Sequence, residues 1–141
     1  MSGVLLDTNV VSEPMQARPD PRVIAWLDAL DERTVYLSVL TLGELRYGVQ
    51  ILASGAKRTR LEGWIDTSLR TRFAGRILPV TEDIADRWGA LTARARLRGE
   101  MLPAIDALLA ATAEAHNLSI ATRNGDHFDA AGVSAVNPWG E

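Results

Sequence analysis

The stretch Val35-Tyr36-Leu37-Ser38-Val39-Leu40-Thr41-Leu42-Gly43-Glu44-Leu45-Arg46-Tyr47-Gly48-Val49-Gln50-Ile51-Leu52 changes its hydrophobic period partway along. Val35–Ser38 is a short apolar run of the kind that forms a buried strand. Beyond it, Leu42, Leu45, Val49 and Leu52 fall on one face of a helix. The same succession recurs on either side. Val4-Leu5-Leu6 is a short buried strand, and Arg76-Ile77-Leu78-Pro79-Val80 is another. A helix is predicted over residues 81–98, with Ile84, Trp88, Leu91 and Ala95 as its apolar stripe. Thr81 is placed to cap it, and Glu82 and Asp83 suit its positive end. Pro103 opens a further helix with Ile105, Leu108, Leu109 and Thr112 on one side. Residues 118–121 predict a fourth strand and residues 133–136 a short fifth. Strands alternating with helices predict an α/β fold: a central parallel sheet of four to five strands, flanked by helices on both faces. The Pro-rich segment 13–21 reads as a loop inside one domain spanning residues 1–141.

Composition narrows the class. The chain of 141 residues is 47% hydrophobic and 23% charged, enough to bury a substantial core. It has no cysteine, which excludes disulfides, a thiolate zinc site and a cysteine nucleophile. The start carries neither a basic region nor a long apolar run, and no stretch is apolar enough to span a bilayer, so a soluble cytoplasmic protein is expected. The net charge of −3 counts against binding nucleic acid through basic residues alone. It is compatible with gripping phosphates through metal ions, because the ions bring the positive charge.

In a parallel sheet the binding crevice lies at the carboxyl ends of the strands. Acids cluster in the sequence where those ends fall. Asp7 directly follows Val4-Leu5-Leu6. Glu44 is expected in the first turn of the helix after Val35–Ser38, and Asp106 in the first turn of the helix opened by Pro103. Asn124 and Asp126 follow the fourth strand, after Thr122 and Arg123. Each has a purely structural explanation. Asp7 suits an Asx turn or a cap, Thr41-x-x-Glu44 matches a capping box, and Asp106 complements its helix dipole. Their joint arrival at one edge from separate segments is what points to a site. Asp106 shares a face with the small residues Ala110 and Ala113, which lets its helix pack closely with the acid turned inward. Carboxylates gathered in one crevice repel one another, and a bound cation relieves the repulsion. Oxygen-only ligands favour Mg²⁺ or Mn²⁺. Neither His116 nor His127 sits in a metal-ligand spacing, which argues against a zinc hydrolase.

Four segments in series carry a family resemblance: Leu5-Leu6-Asp7-Thr8-Asn9-Val10-Val11-Ser12-Glu13, Ser38-Val39-Leu40-Thr41-Leu42-Gly43-Glu44-Leu45-Arg46-Tyr47-Gly48, Ile105-Asp106-Ala107-Leu108-Leu109-Ala110-Ala111-Thr112-Ala113 and Ala121-Thr122-Arg123-Asn124. Together they resemble the PIN-domain toxins of the VapC type, and the closing Val136-Asn137-Pro138-Trp139 is similar to the FitB branch. The resemblance implies a PIN-like domain and the toxin of a type II toxin–antitoxin system. It implies a Mg²⁺- or Mn²⁺-dependent endoribonuclease that cleaves RNA phosphodiester bonds with metal-activated water. Asp7, Glu44 and Asp106 then correspond to the metal-holding acids. The family's fourth catalytic position falls on Asn124, where many relatives carry Asp. An amide oxygen brings no charge, so whether Asn124 or Asp126 fills the position stays open. Thr8, Asn9, Ser38 and Thr122 are candidates for orienting the carboxylates. The implied partners are a small antitoxin with a DNA-binding amino-terminal half, promoter DNA reached only through that antitoxin, and a second copy of the chain in a homodimer; no membrane is implied.

Basic residues fall in three clusters: Lys57, Arg58 and Arg60; Arg70, Arg72 and Arg76; Arg94, Arg96 and Arg98. They suit steering of an RNA backbone, but most are better explained as solvated helix faces. Arg123, beside the acids, is the expected substrate contact. Trp26, Trp64 and Trp88 are expected in the core, with an interface as the other role open to Trp64. A phosphoryl-receiving regulator domain needs a lysine late in the sheet, and the sole lysine, Lys57, is in the wrong place. A haloacid-dehalogenase phosphatase wants an acid where Asn9 stands. The alternative from another class is a catalytically weak PIN module that acts with its antitoxin in promoter DNA binding and autoregulation.

Overall fold

A computed structural model describes residues 3–140; the first two residues and the last, over which the single-domain expectation also runs, lie outside them. Five strands form one sheet: β1 (Val4–Leu6), β2 (Val35–Ser38), β3 (Ile77–Leu78), β4 (Ser119–Ala121) and β5 (Ala135–Val136), in the order β3-β2-β1-β4-β5. Every pairing is parallel, with Val4 beside both Val35 and Ser119. The chain builds outward from β1 to one side through β2 and β3. It then crosses to the other side for β4 and β5, so the order reverses between β1 and β4.

The strands are mostly apolar because both faces of the sheet are covered. Side chains alternate between two clusters, as the two-residue period of a strand requires. Val4, Leu6, Val35, Leu37 and Ala121 join one cluster with Val10, Val23, Leu45, Val49, Ile65, Leu69 and Phe73. Leu5 and Ile120 join the other with Leu91, Ala107, Leu109, Ala110, Ala113 and Phe128. Trp26 and Trp64 pack against the first cluster and Trp88 against the second, the core positions expected of them.

The helices follow their caps. On the first face lie α1 (Thr8–Val11), α2 (Pro21–Asp28), α3 (Val39–Gln50) and a helical stretch made of α4 (Ala56–Gly63), a π-helical segment (Trp64–Leu69) and α5 (Arg70–Arg72). On the second face lie α6 (Glu82–Leu97) and α7 (Ala104–His116), with α8 (Gly125–Ala130) beside them. Thr81 caps α6 by accepting from the Ile84 N–H at 3.2 Å, as its position predicted. The residues at 110 and 113 are buried alanines, which lets α7 pack against α6. Asn117 ends α7 in the left-handed region (φ 55°).

Three expectations need correction. The segment 13–21 is not all loop: Asp20 caps α2 and Pro21 opens it, a fixed φ and a missing N–H both suiting a first helical position. The third strand is two residues rather than five, since Pro79 has no N–H to give the ladder. The cap of α3 is Ser38, whose Oγ accepts from the Leu40 N–H at 3.0 Å. The capping box of Thr41 and Glu44 therefore does not form, and Glu44 lies in the second turn of α3. No helix among the described residues is long and apolar enough to cross a membrane.

Candidate functional site: an acidic crevice at the carboxyl edge of the sheet

The order reversal between β1 and β4 opens a crevice beyond their carboxyl ends. Asp7 stands there. Its backbone N–H donates to the Ala121 carbonyl at 2.9 Å, which ties the end of β1 to the end of β4. Its side chain is 5% exposed. Oδ1 accepts from the Thr8 N–H at 2.8 Å, so the cap expected of a lone aspartate is real. Oδ2 accepts from the Thr122 hydroxyl at 2.7 Å. The cap uses one oxygen only and does not account for the burial.

Electrostatics bring the other two acids in. Burial pushes the Asp7 carboxyl above its ordinary value, and the hydrogen bonds from Thr122 and Thr8 pull it back. The charges of Asp106 and Glu44 raise it further, so both lie within reach of Asp7. Glu44 comes from α3 and is tied to α1, its Oε1 accepting from the Thr8 hydroxyl at 2.5 Å. With no capping box formed, the reading that explained Glu44 without a site falls away. Asp106 lies in the first turn of α7 as expected, and its Oδ2 meets Nδ1 of His127 at 2.5 Å. Three segments far apart in sequence thus deliver three carboxylates to one neighbourhood. Among the described residues, no group of three acid or histidine side chains stands assembled to chelate an ion. Each carboxylate is instead held by a protein donor.

The remaining expected residues divide. Thr8 bridges Asp7 and Glu44, and Thr122 fixes Asp7; Thr122 Oγ1 also accepts from the Asn124 N–H at 3.0 Å. Asn9 Oδ1 accepts from the Arg123 N–H at 3.4 Å, so it holds the loop after β4 rather than an acid. Ser38 is occupied as the cap of α3. Asn124 precedes α8 without a side-chain cap, and it lines a polar cleft of about 390 Å³ with Arg123, Asp126, His127, Asp129 and Asn137. The Arg123 guanidinium lies 4.2 Å from the ring centre of Trp139, a buried residue of the closing segment.

Most other arginines are spoken for. Arg72 and Arg76 pair with Glu32 and flank the Phe73 ring. Arg58 is tied to Glu62, Gln50 and the Leu52 carbonyl. Arg98 holds Glu100 and the Ala130 carbonyl. Lys57 and Arg60 line an apolar groove with Leu45, Val49, Leu61 and Trp64, and Thr8 and Glu44 line it too. Trp64 thus serves the core and a surface groove together.

The residue that sequence reasoning missed is His127. It lies 21 positions from Asp106, a separation with no periodic meaning. Only the packing of α8 against α7 brings the two together.

Fold and site define an α/β protein with an acidic crevice at the carboxyl edge of a parallel sheet. The chain belongs to the PIN domain family, whose model matches residues 4–133. It is 45% identical over 136 residues to the Toxin FitB of Neisseria gonorrhoeae, spanning 96% of this chain and 98% of that one. It is 40% identical over 136 residues to the VapC ribonuclease Y4jK of Sinorhizobium fredii, spanning 96% and 97%. The solved structure of FitAB bound to an IR36 DNA fragment superposes with a TM-score of 0.94 at 43% identity, over 98% of this chain and 96% of that one.

Proposed function

We propose that this chain is the toxin of a toxin–antitoxin pair and a divalent-metal-dependent endoribonuclease, with Asp7, Glu44 and Asp106 as the residues that hold the ion. The observation that carries the reading is the burial of Asp7 at the carboxyl edge of the sheet, where the charges of Glu44 and Asp106 press on it. Such a cluster is costly in the absence of a counter-charge and suits a hard cation. The donor set fits one. Glu44 Oε2 and Asp106 Oδ1 accept no hydrogen bond among the described residues, and each acid is anchored by its other oxygen. Mg²⁺ or Mn²⁺ bound there supplies a Lewis acid that activates water and offsets charge building on a phosphate.

The protein's own groups do the placing. Thr122 and the Thr8 N–H hold Asp7 by both oxygens, and the Thr8 hydroxyl sets Glu44. Arg123, exposed and stacked on Trp139, is the side chain we assign to a backbone phosphate of the RNA. Asn124 takes the family's fourth position and Asp126 stays a surface acid, since the Asn124 backbone N–H donates to the same Thr122 hydroxyl that holds Asp7.

Relatives carry the partners. One is named a toxin and another a ribonuclease, and the FitAB assembly is bound to DNA. For this chain we infer a small antitoxin with a DNA-binding amino-terminal half, and promoter DNA reached through it. The exposed apolar residues Val39 and Tyr47 on α3 and Ile51 just past its end offer a face for a second copy.

The test uses the full chain freed of antitoxin, total RNA, Mg²⁺ or Mn²⁺, and EDTA, beside Asp7→Ala. Cleavage that needs the metal and is lost in Asp7→Ala is the expected result. Absence of cleavage by folded, antitoxin-free protein with either ion overturns the nuclease reading and favours a module that acts only with its antitoxin on DNA.

A further inference from the structure

Among the described residues, His127 is the one side chain hydrogen-bonded to an acid of the crevice that neither the sequence motifs nor the proposed function uses. Its Nδ1 lies 2.5 Å from Asp106 Oδ2. A carboxylate offers only acceptors, so the contact requires the proton on Nδ1, which fixes the ring's tautomer. The two side chains come from different helices, α7 and α8, that pack on one another. The Asp106 side chain is 18% exposed while that of His127 is 41% exposed. The acid is the recessed partner and the ring covers it from the side of the polar cleft that Arg123, Asn124 and Asp126 also line.

Asp7 and Glu44 each have a threonine hydroxyl that fixes one oxygen: Thr122 for Asp7 and Thr8 for Glu44. Asp106 has no such hydroxyl among the described residues, and His127 is its one side-chain partner. Without the ring, the Asp106 carboxylate would turn freely about its two side-chain torsions, and the entropy of fixing it would fall on the binding step.

We infer that His127 is a positioning residue: it clamps Oδ2 of Asp106 so that Oδ1 is presented to a divalent cation shared with the other acids. The inference rests on the reading of Asp7, Glu44 and Asp106 as an ion site, and it adds the element that orients the third acid. The donor, and not the ring's bulk, is what matters. An asparagine at 127 places an amide N–H near where Nδ1 stands.

Mn²⁺ binding to the full, antitoxin-free chain, measured by titration calorimetry, separates the possibilities. His127→Ala should weaken binding by about ten- to a hundredfold, the range for groups that orient metal-holding side chains, while His127→Asn should stay within about threefold of the native chain. Thermal melts in EDTA should be alike for both variants, and kcat on RNA should fall in His127→Ala with KM little changed. If His127→Ala binds Mn²⁺ as tightly as the native chain while Asp106→Ala does not, the positioning role is overturned and the ion site stands. If the Ala and Asn variants are equally impaired, the donor role is overturned in favour of packing. If Asp106→Ala also binds as the native chain does, the ion site itself is wrong and this inference goes with it.

Discussion

The Asp7 carboxylate is buried at the end of β1, accepts two hydrogen bonds and faces two other acids. Its folded pKa lies above its ordinary value of 3.8. A group raised in this way favours the fold fully below its unfolded pKa and loses that contribution as the pH climbs through the folded one. At neutral pH and without metal, ionised Asp7 therefore opposes folding. Asp7→Asn removes the charge and keeps the cap, because its Oδ1 can still accept from the Thr8 N–H, while toward Thr122 the bond reverses, the amide donating to the hydroxyl oxygen. In EDTA at pH 7 the variant should melt higher, because it carries no buried charge there. The gain should be absent below pH 3.8. Added Mn²⁺ should raise the native chain's melting temperature and leave Asp7→Asn where it was; the reverse order of stabilities in EDTA would show that Asp7 is not held as a strained charge. At this scale the sequence was partly legible. Asp7, Glu44 and Asp106 announced themselves by their places after strands and early in helices. Ser38 and Asn9 were marked for the carboxylates and serve the backbone instead, because short polar side chains cap and turn as readily as they orient.

Elements were legible where burial was two-sided. Val4-Leu5-Leu6 reads as a strand covered on both faces, and the two core clusters divide it as that reading requires. The helical stretch over residues 56–72 is not legible by period. Its apolar residues Leu61, Ile65, Leu69 and Phe73 recur every four positions. In a regular α-helix each such step drifts about 40° around the axis. The π-helical segment Trp64–Leu69 widens the turn and keeps them on the core side. A search for 3.6-residue periodicity passes over such a stripe. Helix α2 was hidden differently, since Pro21 reads as punctuation as readily as a helix start. Its cap offers a clean charge test. Arg22 holds the Asp20 carboxyl down to about 2, from 3.8, by a side-chain hydrogen bond. A group lowered in this way stabilises above its unfolded pKa and loses the contribution as the pH falls through its folded one. Asp20→Asn can still accept from the Arg22 N–H and so preserves the cap. At pH 6 the native chain should melt slightly higher, and melts in an acid series should show the gap closing between pH 3.8 and about 2. A gap that persists to pH 2 would assign the effect to the cap rather than to the charge.

The whole molecule is fastened by its closing segment. Trp139 is 5% exposed and joins the cluster that contains Val4 and Leu6 from the first strand. It also carries the Arg123 guanidinium on its ring. Trp139→Ala should cost about 3–5 kcal/mol, the usual range for a buried tryptophan, read as a lower urea midpoint at unchanged slope. A cost below about 1 kcal/mol, the scale of an ordinary surface change, would show that the segment only rests on the fold. The five-stranded order was legible in kind, as alternating strands and helices, but not in detail. Which strand lies beside β1 depends on contacts across the whole chain.

That arrangement has a bearing on timing. Asp7 and the Thr122 hydroxyl that holds it are 115 residues apart. A ribosome adding ~5–20 residues per second needs on the order of ten seconds to pass from one to the other. During that interval the growing chain displays Asp7 and then Glu44, but β4 has not been made and the crevice has only one wall. The crevice gains its second wall only once β4 has been made, so a protein partner that grips earlier residues can meet the chain before the site is assembled.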